Sequence, residues 1–255
     1  MADPVVLILG GTREAAQLAK HLVAAHGEAS VITSLAGSTA QPAALAGRVR
    51  RGGFGGSGAL ADWLGQENIN AVIDATHPFA EQISANAAGA CAASGVPRIA
   101  LVRPQWQAGP GDNWTALPDI AAAASAVPGA GLRVFLGLGS RALGAFSRVA
   151  DAWFLVRMVD PPAEPLPLAD YELVLGRGPF DVAAEKALLA RHAIDLLITR
   201  NSGGEGAAAK LAAARALGLP VLMIARPAPP EGPQVETVDD ALTWAAGQLA
   251  RNTCV

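Results

Sequence analysis

The stretch Asp74-Ala75-Thr76-His77-Pro78-Phe79-Ala80 follows a hydrophobic run that reads as a strand. It therefore falls at the carboxyl edge of a sheet, where open α/β folds keep their sites. An imidazole titrates near neutrality, so His77 is a candidate to donate a proton, with Thr76 and Asp74 positioned to orient groups beside it. The plainer account makes Asp74 a turn cap, His77 polar surface and Pro78 the first residue of a helix. A second candidate is Leu9-Gly10-Gly11-Thr12-Arg13-Glu14, which closes the first strand and opens the first helix. Glycines there let a ligand approach the backbone, and a helix N-terminus offers N–H groups to an anion. The plainer account is a tight turn with Thr12 as cap. The segment is not a GxGxxG fingerprint, and Glu14 would repel a phosphate nearby.

The next strand narrows the choice of ligand. A dinucleotide site for NAD carries an acidic residue near the end of the second strand, for the ribose hydroxyls. Here Thr33-Ser34-Leu35-Ala36-Gly37 offers hydroxyls and no acid, while Arg48, Arg50 and Arg51 lie near the third strand. That composition suits a 2′-phosphate and predicts NADPH rather than NADH. The expected cofactor contacts are Gly10, Gly11, Thr12, Thr33, Ser34, Arg51 and Thr76.

Three loops of the second half pair glycine with a cation: Gly137-Leu138-Gly139-Ser140-Arg141, Gly176-Arg177-Gly178-Pro179-Phe180 and Thr199-Arg200-Asn201-Ser202-Gly203-Gly204, with Lys210 shortly after the last. Arg103, Arg157 and Arg226 fall at or just past other strand ends. Singly, each is a helix-start turn with a solvated charge. Together, in a chain of net charge −3, they gather guanidinium groups on one edge, which suits a polyanionic ligand. Arg177, Arg200, Ser202 and Lys210 are the expected substrate contacts.

The elements that must position these residues alternate along the chain. Strands are expected at 5–9, 31–33, 48–51, 71–74 and 98–102, then at 133–136, 153–156, 171–175, 195–198 and 221–224. The first helix shows an apolar face at Ala15, Leu18, Ala19, Leu22 and Val23. Others are expected over 79–94, 179–191, 206–217 and 238–251, and the proline-rich 160–168 as a loop. The halves echo each other. Gly95-Val96-Pro97 through Arg103-Pro104 matches Gly218-Leu219-Pro220 through Arg226-Pro227, and the same offset sets Thr76-His77 on Thr199-Arg200. This predicts an α/β protein of two similar Rossmann-like lobes with mainly parallel sheets: 1–104 for the cofactor, a linker at 105–118, and 119–255 as the second lobe. A cleft between the lobes is the expected site.

The 255 residues, 51% hydrophobic and 16% charged, exclude a disordered chain. The pI of about 5.8 argues against a phosphate-gripping nucleic-acid binder. Alanine accounts for much of the mean hydropathy of +0.32, and the apolar runs break before the ~20 residues of a membrane span. Asp3-Pro4 ahead of a strand leads to the expectation that no signal peptide is present. Cys91 and Cys254 stand far apart, which disfavours a disulfide framework or a zinc site. No metal is expected, and there is no nucleophile elbow, Walker lysine loop or HExxH.

Taken together, Gly-Gly-Thr-Arg-Glu-Ala at 10–15, Gly-Gly-Phe-Gly-Gly at 52–56, Asp-Ala-Thr-His-Pro-Phe-Ala at 74–80, Gly-Arg-Gly-Pro-Phe at 176–180 and Asn-Ser-Gly-Gly at 201–204 resemble the precorrin-6A reductase family of cobalamin biosynthesis. The resemblance runs over nearly the whole chain. It implies an NADPH-dependent, cytoplasmic oxidoreductase that saturates one carbon–carbon double bond of a corrin precursor. The implied substrate is a polycarboxylate macrocycle; the chain is expected to act as a monomer, or with other enzymes of the pathway as transient partners. Arg200 departs from the lysine expected in many relatives and keeps the charge. Gly137-Leu138-Gly139 departs where hydroxyl-bearing residues are usual. Two other classes share parts of the pattern: a cofactor-free bilobed tetrapyrrole synthase of lyase type, and a non-catalytic bilobed sensor. NADPH binding separates the reductase from both.

Overall fold

The computed structural model of the protein describes residues 4–37, 44–127 and 131–252. In chain order the first elements are β1 (Val5–Leu9), α1 (Arg13–His26), β2 (Val31–Leu35), β3 (Arg48–Arg51), α2 (Ser57–Gln66), β4 (Ile69–Asp74), α3 (Glu81–Ser94) and β5 (Arg98–Leu101). There follow β6 (Asn113–Leu117), α4 (Ile120–Ser125), β7 (Leu132–Gly137), a 3₁₀ segment at Ser140–Phe146, β8 (Ala152–Met158), β9 (Tyr171–Leu175), α5 (Val182–Arg191), β10 (Leu196–Arg200), α6 (Ala209–Leu217) and β11 (Pro220–Ile224). The chain ends with β12 (Gln234–Val235) and α7 (Val238–Asn252).

These elements form two compact units, Met1–Pro104 with Pro227–Val255, and Gln105–Arg226. Each holds one six-stranded parallel sheet. The orders are β12-β5-β4-β1-β2-β3 and β6-β11-β10-β7-β8-β9. In each, the strand that starts the βαβ series lies near the middle, and the order reverses beside it. The reversal lies between β1 and β4 in the first unit and between β7 and β10 in the second. That is the doubly wound arrangement expected from the sequence, and its switch points are where such sheets bind ligands.

Two boundaries depart from the expectation. The supposed linker 105–118 contains β6, which pairs with β11 throughout Asn113–Leu117 and forms the edge of the second sheet. The expected second lobe, 119–255, loses its last segment to the first unit. There β12 pairs with β5, and Ala241, Ala245 and Leu249 of α7 enter the same core as Val6, Ile8, Leu18 and Ile73. The reason is reciprocal. In each half, the strand that follows the Arg-Pro exit completes the sheet of the other half, so the two halves share a topology while the cut between lobes is not linear.

Alternation in the strands sorts the cores. On the first sheet, Val6, Ile8 and Val31 face α1 and α7, while Leu7, Leu9 and Ile32 face α2 and α3. Parallel strands covered on both faces must be apolar on both, which is why β1 reads as an unbroken Val-Val-Leu-Ile-Leu. In the second unit Phe135, Leu155, Leu197 and Met223 pack with Leu189 of α5 and Leu211 of α6. Cys91 belongs to the α2–α3 core, and burial pushes its thiol up to about 11, which keeps it an unreactive thiol. Cys254 lies outside the described residues. Among the described residues, no helix is long and apolar enough to cross a membrane.

Candidate functional site

The β1 turn in the first unit is built from close approach. Gly10 donates its N–H to the Ser34 carbonyl at 2.9 Å, and a Cβ at Gly10 would stand 2.9 Å from the Thr33 methyl. Gly11 has φ +108°, and no described atom lies within 4 Å of where its Cβ would be. A side chain there would be strained and would block an open backbone. Thr12 then caps α1. Its Oγ1 accepts the Ala15 N–H at 3.1 Å and donates to the Ala75 carbonyl at 2.7 Å. One hydroxyl therefore joins the β1 turn to the β4 loop across the switch point. The dipole of the 14-residue α1 aims its positive end outward at this place. Glu14 does not spoil the site, because Arg103 Nη1 pairs with it at 2.9 Å.

The β4 loop is ordered by Asp74. Its Oδ1 accepts from the Thr76 N–H at 3.2 Å and from the Thr76 hydroxyl at 2.8 Å. Its Oδ2 lies 3.9 Å from Arg98 Nη1, in a pair almost wholly out of solvent. Arg98 also donates to the Glu231 carbonyl at 2.9 Å, in the returning segment. Half-buried His77 accepts the Phe79 N–H on Nδ1 at 3.2 Å. That bond suits only an unprotonated nitrogen, so the imidazole carries its proton on Nε2.

Two of the expected cofactor contacts change. Thr33 is fully buried, its methyl against Gly10, so it shapes the turn, and its hydroxyl has no protein partner among the described residues. Arg51 is exposed, whereas Arg50 is the arginine that stands at Ser34. Ser34 pairs with Arg50 across β2 and β3, and Arg50 Nη1 reaches Ser34 Oγ at 3.4 Å. Its guanidinium lies 3.7 Å from the centre of the Phe54 ring and donates to the Gly53 carbonyl at 2.8 Å. Strand alternation puts residues 50 and 51 on opposite faces, and only the first shares that of Ser34.

The second unit gathers charge along the carboxyl ends of β8, β9 and β10. Arg157 at the end of β8 makes a bidentate pair with Glu185 of α5, at 2.8 and 3.0 Å, and lies over the Phe180 ring at 4.1 Å. Half-buried Arg200 ends β10. Burial, and then the charge of Arg141, lower its pKa. Arg177 is exposed in the loop after β9. The 201–207 loop is clamped. The Asn201 side chain bonds both the N–H and the carbonyl of Trp106, at 2.9 and 3.0 Å. The Trp106 indole donates to Gly204 at 2.9 Å, and Arg226 donates to the Ser202 carbonyl at 2.9 Å.

Lys210 differs from its expected part as a presented charge. It is buried, and its Nζ donates to the Ala207 carbonyl at 2.9 Å and lies 5.2 Å from the Trp106 ring. Its Cε would be 3.3 Å from a Cβ at Gly137, so the lysine stem fills the crevice between β7 and β10. Burial lowers its pKa to about 8, against the opposing pull of Glu185. It holds the loop. Trp106 and Glu185 had not been singled out in the sequence, and their partners are too distant along the chain for any local pattern to show them.

This geometry meets a close counterpart among known proteins. The family model for precorrin-6x reductase CbiJ/CobK matches residues 5–246. The chain belongs to that family. A precorrin-6A reductase of Rhodobacter capsulatus is 48% identical over 94% of this chain and 95% of its own length. A cobalt-precorrin-6A reductase of Salmonella typhimurium is 33% identical over 90% of each. The solved structure titled CobK precorrin-6A reductase superposes with a TM-score of 0.91 at 47% identity, covering 96% of this chain and 97% of that one. The family is one of reductases, and the doubly wound units described above are its fold.

Proposed function

We propose that the protein is a cytoplasmic precorrin-6A reductase of cobalamin biosynthesis that saturates one carbon–carbon double bond of the macrocycle with NADPH. The observation that carries the cofactor assignment is the open β1 turn of the first unit. Gly11 exposes backbone there at the positive end of α1, which fits a pyrophosphate. Ser34 and Arg50 stand where the adenosine ribose of a dinucleotide lies in such folds, and a guanidinium beside a hydroxyl fits a 2′-phosphate. Gly10, Gly11, Thr12, Ser34, Arg50 and Thr76 are the proposed cofactor contacts.

When bound, NADPH would supply the hydride. The chain's own part is orientation and charge. Arg177, Arg200 and Ser202, on loops held by Trp106, Lys210 and Arg226, are assigned to the carboxylates of the substrate. His77 assists protonation of the neighbouring carbon. Its Nδ1 must first give up the Phe79 N–H for the ring to become an imidazolium, so its contribution is an assisting one. The stronger likeness to the relative named for precorrin-6A than to the one named for its cobalt form supports a metal-free substrate. The test is binding of NADPH and NADH, followed by NADPH oxidation with precorrin-6A and with its cobalt complex. The proposal expects tighter NADPH binding and turnover of the metal-free macrocycle. Equal dissociation constants for the two nucleotides, or no oxidation with either macrocycle, would refute it.

A further inference from the structure

Thr12 and Thr76 face the same switch point, and each hydroxyl has one proton to give. Thr12 gives its proton to the Ala75 carbonyl and accepts from the Ala15 N–H. Thr76 lies 2.8 Å from Asp74 Oδ1 and 3.2 Å from Ser84 Oγ. A carboxylate can only accept, so the Thr76 proton goes to Asp74 and the Ser84 hydroxyl must donate to Thr76. The direction of the chain is fixed: Ser84 to Thr76 to Asp74. Thr76 keeps one lone pair for a ligand and has no proton for it. A phosphate, itself an acceptor, gains nothing from either threonine, which leaves anion recognition to the backbone N–H groups of α1.

We infer that Asp74, facing the buried Arg98 charge at 3.9 Å, is a positioning residue that makes Thr76 an acceptor for the nicotinamide-riboside half of the cofactor, whose sugar hydroxyls and carboxamide are donors. The inference rests on the NADPH reading above. Asparagine cannot replace the aspartate. The buried Arg98 guanidinium, 3.9 Å from Oδ2, would draw the asparagine oxygen toward itself, which turns the amide N–H groups onto Thr76 and takes away its acceptor.

Binding of two ligands separates the possibilities: NADPH, and adenosine 2′,5′-bisphosphate, which lacks the nicotinamide riboside. Thr76→Val is expected to weaken NADPH by about 3- to 10-fold, the range of one lost hydrogen bond. The bisphosphate should bind it as it binds the wild type, and Thr76→Ser should restore NADPH affinity. Asp74→Asn, with Thr76 intact, should reproduce the Thr76→Val pattern. Should Asp74→Asn fail to fold, the two Thr76 variants carry the test alone. Equal weakening of both ligands by Thr76→Val, or no change in either, overturns the inference. A wild-type protein that binds the bisphosphate as tightly as NADPH overturns it too, with the cofactor reading left standing. A wild-type protein that binds neither compound overturns the cofactor reading and the inference together.

Discussion

The two switch points have the same strand order and opposite contents. Between β1 and β4 the first unit leaves backbone open at Gly11, with a 14-residue helix starting beside it. Between β7 and β10 the second unit has filled the equivalent crevice with Lys210, and a 3₁₀ segment of seven residues follows β7 where the first unit has α1. So short a segment carries little dipole. What it lacks in backbone dipole it holds in side-chain charge, with Arg157 and Lys210 beside buried Glu185 and Arg200 beside Arg141. One topology thus yields an open backbone turn in one unit and a cluster of side-chain charge in the other. Strand order fixes where a site can be, and side chains at the strand ends decide which ligand it takes.

Removing Glu185 should break the second of these places most severely. Its partner Arg157 is largely buried, and a buried charge left alone costs about 3–5 kcal/mol. Glu185→Ala is expected to lose that much in urea unfolding. A loss below about 1 kcal/mol would mean that water reaches Arg157 and that the pair is a surface feature.

The smaller effect expected at His77 sharpens the account of the first unit. A general acid contributes ~10²–10⁴-fold, and the Phe79 bond on Nδ1 places His77 at the lower end. Single-turnover NADPH oxidation by His77→Ala should therefore be about 10²-fold slower with NADPH affinity retained. An unchanged rate and pH profile would leave the ring a structural part of the loop.

At Gly10 the expected effect is smaller again and concerns shape. Gly10→Ala sets a methyl 2.9 Å from the Thr33 methyl, and overpacking of this kind costs roughly 1–3 kcal/mol. The double variant Gly10→Ala, Thr33→Ala removes the opposing methyl and should recover most of the loss, as contacting residues do in a double-mutant cycle. Additive losses would show that Gly10 is needed for another reason.

Much of the fold was legible because both faces of each sheet are covered. The strands β1, β3 and β9 fall at the expected residues, and the others within one or two, since continuous apolar runs bounded by Gly and Pro leave little freedom. The parts that escaped depend on distant partners. β6, with its exposed Asn-Trp-Thr-Ala-Leu pattern, becomes a strand only through β11, and the two-residue β12 only through β5. The glycine turn, the 74–80 loop and the cationic loops were also legible, since each follows a strand directly. What the sequence left open was the direction of individual side chains. Period-two alternation from Ser34 through the β2–β3 register was needed to prefer Arg50 to Arg51, and that register is a tertiary fact. Nothing local marks Lys210 as a plug, because the glycine that admits it is at 137.

The proposed division of labour between the units is tested most directly by two variants and two constants. NADPH dissociation and the KM for precorrin-6A are measured for Arg50→Ala of the first unit and Arg200→Ala of the second. The account predicts that Arg50→Ala weakens NADPH by ~10-fold or more, the worth of a charge-assisted bond, with NADH affinity and the macrocycle KM unchanged. Arg200→Ala should raise the KM and leave NADPH dissociation as it is. The opposite pairing, with Arg200→Ala weakening NADPH and Arg50→Ala raising the KM, would contradict the account by exchanging the ligands of the two units.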